Sequence, residues 1–239
     1  LINANAQYKL EEDFSSATFP PSGWTRGSSL DNSGNPVWTK SNFSGYGTGN
    51  GSAFCYFLNW SSGKDSIVSP SFTAANNDTL YFDHTYRTSI NEVDSLNIYT
   101  SSNNGASWTL LVRLQGGTVV GTGMVTLPPA FANYNNPFAS DWKSKKYPVP
   151  NGTNKVKFET VTAHGNNLFL DNIKVGKVTN YNVAPYSIPV SGTAYTVSTS
   201  INPIGEVVNY GVAAATFTVT RKISPGGYVS TKTVTNLGA

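Results

Sequence analysis

The segment GNNLFLDNIKVG, residues 165–176, constrains the fold more than any other stretch of the chain. Successive side chains of an extended strand point to opposite faces, so a strand with one buried face is apolar at every second residue. Leu168 and Leu170 share one parity, while Ile173 and Val175 share the other. The apolar side therefore changes across Asp171-Asn172, which a plain strand cannot do without a bulge or bend. Two arrangements satisfy the pattern. Either the strand is covered on both faces, or Asp171 sits at a kink with something to bind.

The remainder reads as β structure. Charged residues make up only 12% of the chain and aromatics 13%. Ser, Thr and Tyr-rich runs alternate with Gly, Asn and Pro clusters, the texture of antiparallel sheets, and no helical period exceeds two turns. Strands are expected in YKLEEDF, SAFCYFLNW, SIVSPSF, TLYFDHTYR, SLNIYTS, DWKSKKYPV, NKVKFETVT and NLFLDNIKV. Asn104-Gly105 predicts a hairpin within SSNNGASWTLLVRLQ. The segment GGTVVGTGMVTLPPAFANYNNP is a long irregular loop, and such loops are usually functional or packed down by their own aromatics. A boundary falls near residues 176–185. Beyond it the chain turns Thr/Val-rich, with Phe217, Val219 and Ile223 on one parity and threonines on the other, a half-buried strand. An immunoglobulin-like sandwich needs about seven strands and roughly 100 residues, so this part reads as an incomplete sandwich with open edges.

Charge and inventory exclude several functions. The net charge of +3 is small and dispersed, and KSKK at Lys143–Lys146 reads as a solvated edge, so no nucleic-acid footprint is expected. No segment approaches a membrane-spanning length. Ala4-Asn5-Ala6 matches the small-x-small end of a secretory signal, so residues 1–6 are read as a signal-peptide remnant and the chain as exported. Cys55 is alone between Phe54 and Tyr56 and reads as a buried small hydrophobe. His84 and His164 have no metal-protease spacing, and neither a nucleophile elbow nor a phosphate loop occurs. The chain is expected not to be an enzyme.

Several motifs, taken in order, are similar to the choice-of-anchor J and cleaved-adhesin domains, of which the gingipain adhesin domains are members. They are EEDFSSATFPPSGWT (11–25), DSIVSPSF (65–72), LYFDHTYR (80–87), DSLNIYTSSNNGASWTLL (94–111), SDWKSKKYPV (140–149) and GNNLFLDNIKV. The part beyond about residue 182 resembles the adhesion-type immunoglobulin-like modules that follow such domains in surface proteins exported by Bacteroidetes. The resemblance implies an all-β chain: a jelly-roll β-sandwich of two antiparallel sheets over residues 7–177, then a partial Ig-like β-sandwich over 182–239.

The resemblance also implies structural calcium tying the first strand to the last. Glu11, Glu12 and Asp13 form a carboxylate cluster on the opening strand, and Asp171 is the acid of the closing one. Side by side, unneutralised carboxylates push a proton onto one of them. A hard cation with roughly six to eight oxygen ligands removes that penalty. Glu12, Asp13, Asp171 and Asn172 are the expected ligands, with Asn167 or bulge carbonyls as neutral donors and Asp65, Asp83 or Asp94 for a second ion. The alternative leaves Glu11–Asp13 in solvent and Asp171 capping a turn through backbone N–H groups. For a ligand, exposed loop aromatics that stack on sugar rings are the candidates: Trp38, Phe43, Tyr46 and Trp60, centred on WTKSNFSGYGTGNGS. Trp24 and Trp108 match core positions of the resembled family.

Function follows as a secreted or cell-surface, calcium-stabilised, non-catalytic adhesion module for carbohydrate or an extracellular protein. The alternatives are a subunit or spacer of a surface fibre, self-assembling through the incomplete C-terminal part, and the accessory region of an exported protease or other hydrolase.

Overall fold

The structure is a computed structural model that describes residues 7–28, 38–59, 62–89, 92–177, 183–187, 205–209, 214–223 and 227–238. The expected signal remnant at residues 1–6 and the candidate Trp60 lie outside the described residues. One compact unit spans Tyr8–Lys177, and a second includes Val178–Ala239.

The first unit is an antiparallel β-sandwich. Its strands are β1 (Gln7–Glu12), β2 (Thr25–Ser28), β3 (Trp38–Ser41), β4 (Ser52–Cys55), β5 (Gly63–Val68), β6 (Thr79–Tyr86), β7 (Ser95–Ser101), β8 (Thr109–Gln115), β9 (Lys143–Pro148), β10 (Lys155–Thr162) and β11 (Leu168–Lys177). A six-stranded sheet runs β3-β4-β11-β6-β9, with β1 also paired to β11, and a five-stranded sheet runs β2-β5-β10-β7-β8. Every sheet neighbour except β3-β4 and β7-β8 is distant in sequence, so topology and not local turns brings the first strand beside the last. No α-helix occurs among the described residues.

Alternation sets the core. In β10, Val156, Phe158, Thr160 and Thr162 are buried while Lys155, Lys157, Glu159 and Val161 are only partly so. Phe82 and Phe158 meet edge-on between the sheets, with centroids 5.6 Å apart, alongside Trp38, Leu80, Leu96, Ile98 and Leu168. Burying an aliphatic or aromatic side chain of this kind stabilises by about 1.5–3 kcal/mol, and this shared layer holds the two sheets together. A second, smaller cluster of Tyr134, Trp142 and Phe169 lies apart from that core. Phe169 has the parity opposite to Leu168 and Leu170, so β11 is covered on both faces.

Local chemistry departs from the sequence expectation in two places. SAFCYFLNW is strand only through Cys55, after which Phe57–Asn59 forms a 3₁₀ turn and Phe57 enters the core. Asn104 and Gly105 both have positive φ, as that dipeptide favours, but the hairpin loop is longer than two residues. Ser101 and Asn103 fill it, accepting N–H bonds from Asn103, Gly105 and Ser107. The long loop after β8 is packed down: Met124, Val125 and Tyr134 are buried, while Val119, Val120 and Phe131 stay exposed.

In the second unit β12 (Val183–Ser187) pairs with β13 (Glu206–Asn209), and β14 (Ala215–Ile223) with β15 (Tyr228–Leu237). Asn209 Nδ2 donates to the Leu237 carbonyl at 3.0 Å. Phe217 and Val219 are more covered than Thr216, Thr218 and Thr220, the alternation read from sequence. β12 occupies part of the segment read as a boundary. Much of the expected Ig-like sandwich, including YTVSTSI, lies outside the described residues.

Candidate functional site

The site forms where β11 breaks register. Asp171 pairs with Asp83 of β6 and Lys174 with Tyr81, three steps along β11 against two along β6. Asn172 takes φ +50, the left-handed conformation that asparagine tolerates better than most residues. The inserted residue is the β-bulge that the parity change requires. It re-aims the backbone so that Ile173 and Val175 return to the core. Both arrangements left open by the sequence therefore hold: the strand is covered on both faces and it kinks at Asp171.

The 3₁₀ turn Gly45–Gly47 meets Asp171. Gly45 N–H donates to Asp171 Oδ2 at 2.6 Å, and Asn172 N–H donates to Oδ1 at 2.7 Å. A Cβ on residue 45 would stand 2.7 Å from Asn172 Nδ2 and 3.2 Å from Asp171 Oδ2, so only glycine lets the turn approach this closely. The network continues outward. Asn172 Nδ2 donates to Asp83 Oδ2 at 2.8 Å, and Ser144 Oγ donates to Asp83 Oδ1 at 2.6 Å. With its proton so committed, Ser144 Oγ accepts from the Tyr46 hydroxyl, 3.0 Å away. Tyr46 has φ +54, an uncommon backbone conformation for an aromatic residue, and remains 44% exposed. Phe43, 37% exposed, lies on the same loop. Gly47 abuts Ala139, next to Phe138, which is 74% exposed.

Burial pushes the Asp171 carboxyl up to about 7; its two backbone donors oppose this, and the nearby charges of Asp83 and Asp13 add to it. Each opening carboxylate also has a partner of its own. Glu11 pairs with Lys174 at 2.8 Å. Glu12 accepts from Phe14 N–H at 2.7 Å, and burial raises its carboxyl. Asp13 accepts from Ser15 N–H at 3.0 Å, and hydrogen bonds from Ser15 hold it below the usual range. Among the described residues no three acidic, His or Cys side chains stand close enough to hold a metal ion. Glu12, Asp13, Asp171 and Asn172 carry the hard oxygens that calcium takes, and the Asp13 charge is felt at Asp171.

The other candidates separate cleanly. Trp38 is fully buried, at 0% exposure, and cannot stack on a ligand; this corrects the sequence reading, because β3 turns its indole inward and only the loop after it faces solvent. Asp65 accepts from Trp38 N–H at 3.0 Å, and Asp94 accepts the Tyr86 hydroxyl at 2.8 Å, so these acids serve the interior at separate places. Asn167 Nδ2 donates to Tyr134 O and Asn135 Oδ1. Burial holds His84 at about 4, hence neutral, and pushes the Cys55 thiol well up.

With this geometry in hand, comparison is informative about fold. No protein-family model matches the chain, and no curated protein matches it. Among solved structures, the chain is similar to the K1 cleaved adhesin domain of Lys-gingipain from Porphyromonas gingivalis W83. The identity is 18%, the TM-score 0.50, and the alignment covers 70% of this chain and 97% of that domain. The K3 domain of the same protein aligns at 18% identity and a TM-score of 0.50, over 72% of this chain and 99% of its own. The likeness shows a shared β-sandwich fold.

Within that sandwich, sequence reasoning had named Asp171, Asn172, Phe43 and Tyr46, and it considered Asp83 for a separate ion. It missed Ser144. The Ser144–Asp83 bond joins residues 61 apart through the pairing of β9 with β6, and a serine in KSKK carries no local mark of that partnership.

Proposed function

We propose that the chain is a non-catalytic binding module working outside the cell, and that it recognises carbohydrate through the loop bearing Phe43 and Tyr46. The carrying observation is Tyr46: an exposed ring on a left-handed backbone, its hydroxyl tied through Ser144 and Asp83 to the bulge of β11. A ring held this way loses little conformational freedom on binding, which favours affinity. Sugars offer flat apolar faces to such a ring and hydroxyls to nearby polar groups. A glycan array probed with the full chain is expected to give binding that weakens about tenfold or more in Tyr46→Ala, a loss of about 1.4 kcal/mol. A silent array, or equal binding by the variant, removes the carbohydrate reading of this loop and leaves an extracellular protein as the ligand class.

Structural calcium belongs to the same proposal. Its support is the like-charge environment of Asp171, with Asp83 and Asp13 nearby and neutral oxygens from Asn172 within the bulge. The folded-state pKa of Asp171 lies above its ordinary value of 3.8, near 7. Its contribution to stability is therefore complete at low pH and is lost as pH rises toward 7. In chelator, the melting temperature is expected to fall between pH 5 and pH 8. Added calcium should flatten that slope, and Asp171→Asn should flatten it without calcium. Superimposable melts in chelator and in calcium across this range would remove the ion.

A further inference from the structure

On the outer face of the five-stranded sheet, the register places β10, β7 and β8 residues in rows. Lys157 lies opposite Tyr99, and Glu159 opposite Asn97, which in turn faces Arg113. The Lys157 ammonium lies over the Tyr99 ring at 4.4 Å and over the Trp108 ring at 5.1 Å. Trp108, matched to a core position by the sequence resemblance, is instead partly exposed here. Glu159 is bracketed by Lys157 at 3.2 Å, Lys64 at 3.6 Å and the Tyr99 hydroxyl at 3.2 Å. Its carboxylate is thereby saturated with donors, which leaves the surrounding cations in excess. Lys64, Lys155, Lys157 and Arg113 against Glu159 leave this face at a net +3, four minus one, among its described residues.

Asn97 supplies a second and independent observation. It is 1% exposed, its Oδ1 accepts from Arg113 Nε at 2.9 Å, and its buried Nδ2 makes no hydrogen bond. An unmade donor in such a position costs stability unless a ligand or water completes it. The unused capacity of this face is thus donors and positive charge, set beside two aromatic rings. An acceptor-rich, negatively charged partner with a flat apolar face complements all three features.

We propose that this face, centred on Tyr99, Trp108, Lys157, Asn97 and Arg113, is a second binding site for acidic oligosaccharides bearing carboxylate or sulfate groups. It goes beyond the Tyr46 reading, lies on the other sheet, and stands or falls separately. Trp108 and Tyr99 take the sugar ring faces, while Arg113 and Lys155 take the acid groups.

Affinity electrophoresis of the full chain tests this in gels containing polygalacturonate, dextran sulfate or neutral dextran. Retardation by either acidic polymer, and not by neutral dextran, is expected to persist at an ionic strength where exposed charges more than a few ångströms apart are screened. Binding to polygalacturonate alone assigns carboxylates, and binding to dextran sulfate alone assigns sulfates. Trp108→Ala and Arg113→Gln should each weaken binding about tenfold. The double variant Lys143→Gln, Lys146→Gln removes two positive charges from the opposite sheet, more than either of these, and should have little effect. The proposal is overturned if neither acidic polymer retards the chain, if neutral dextran retards it equally, or if the Lys143/Lys146 variant loses as much binding as Trp108→Ala.

Discussion

Gly165→Ala is expected to lower stability by about 3–5 kcal/mol, read as a shift of the urea midpoint with an unchanged slope. A Cβ at this position would fall on Asp94 Oδ2. Asp94 is fully buried just before β7, and it joins three parts of the fold. Its carboxylate accepts the Tyr86 hydroxyl at 2.8 Å, Ala163 N–H at 2.7 Å and Gly165 N–H at 3.1 Å, while its carbonyl accepts Gly116 N–H at 2.9 Å. Displacing the carboxylate leaves interior donors unmade, each costing about 1–3 kcal/mol, on top of the overpacking itself. If the clash with Asp94 is the cause, Asp94→Ala and Gly165→Ala are strongly non-additive when combined. A cost below about 1 kcal/mol for the glycine variant, or simple additivity, would contradict this account.

Phe169→Ala is expected to cost about 3–5 kcal/mol, the range for truncating a buried aromatic ring. Phe169 is the centre of the smaller cluster, with Phe54 at 4.8 Å, Tyr134 at 5.8 Å and Trp142 at 6.3 Å between ring centroids. Tyr134 in turn holds the long loop: its hydroxyl bonds Thr85 Oγ1 at 2.7 Å and Asp141 Oδ2 at 3.0 Å, and its N–H donates to Asn166 Oδ1 at 2.7 Å. The variant is therefore expected to be cut faster by protease within residues 128–137, under conditions where the sandwich stays folded. Leu170→Ala, from the opposite face of the same strand, should destabilise without that selective cleavage. Equal cleavage patterns in the two variants would show that the loop does not depend on Phe169.

Much of the sandwich was legible because burial alternates with sequence parity. β6, β7, β10 and β11 fall where apolar alternation and turn residues place them, and the parity change at Asp171 had left a kink there as one of two arrangements. What remained illegible depends on partners distant in the chain. Trp38 looked like a loop aromatic because a run rich in Ser, Asn and Gly follows it, yet strand β3 turns it inward. Trp108 looked like core, yet the hairpin lays it on the outer sheet face beside Lys157. The split of Glu11, Glu12 and Asp13 toward Lys174, Phe14 and Ser15 is likewise set by backbone geometry, which a run of three acids does not encode.

The bond from Gly45 to Asp171 spans 126 residues. Closing so long a loop is entropically unfavourable until the intervening strands have paired, so the contact belongs to the last stages of folding. Tyr46 gains its bracing only when the final strand has docked. A chain emerging from a ribosome or an export channel consequently has no finished Tyr46 surface until residue 172 has joined the sheet. On the proposed reading of this loop, a half-made fold does not engage ligand, and recognition becomes a report that assembly is complete.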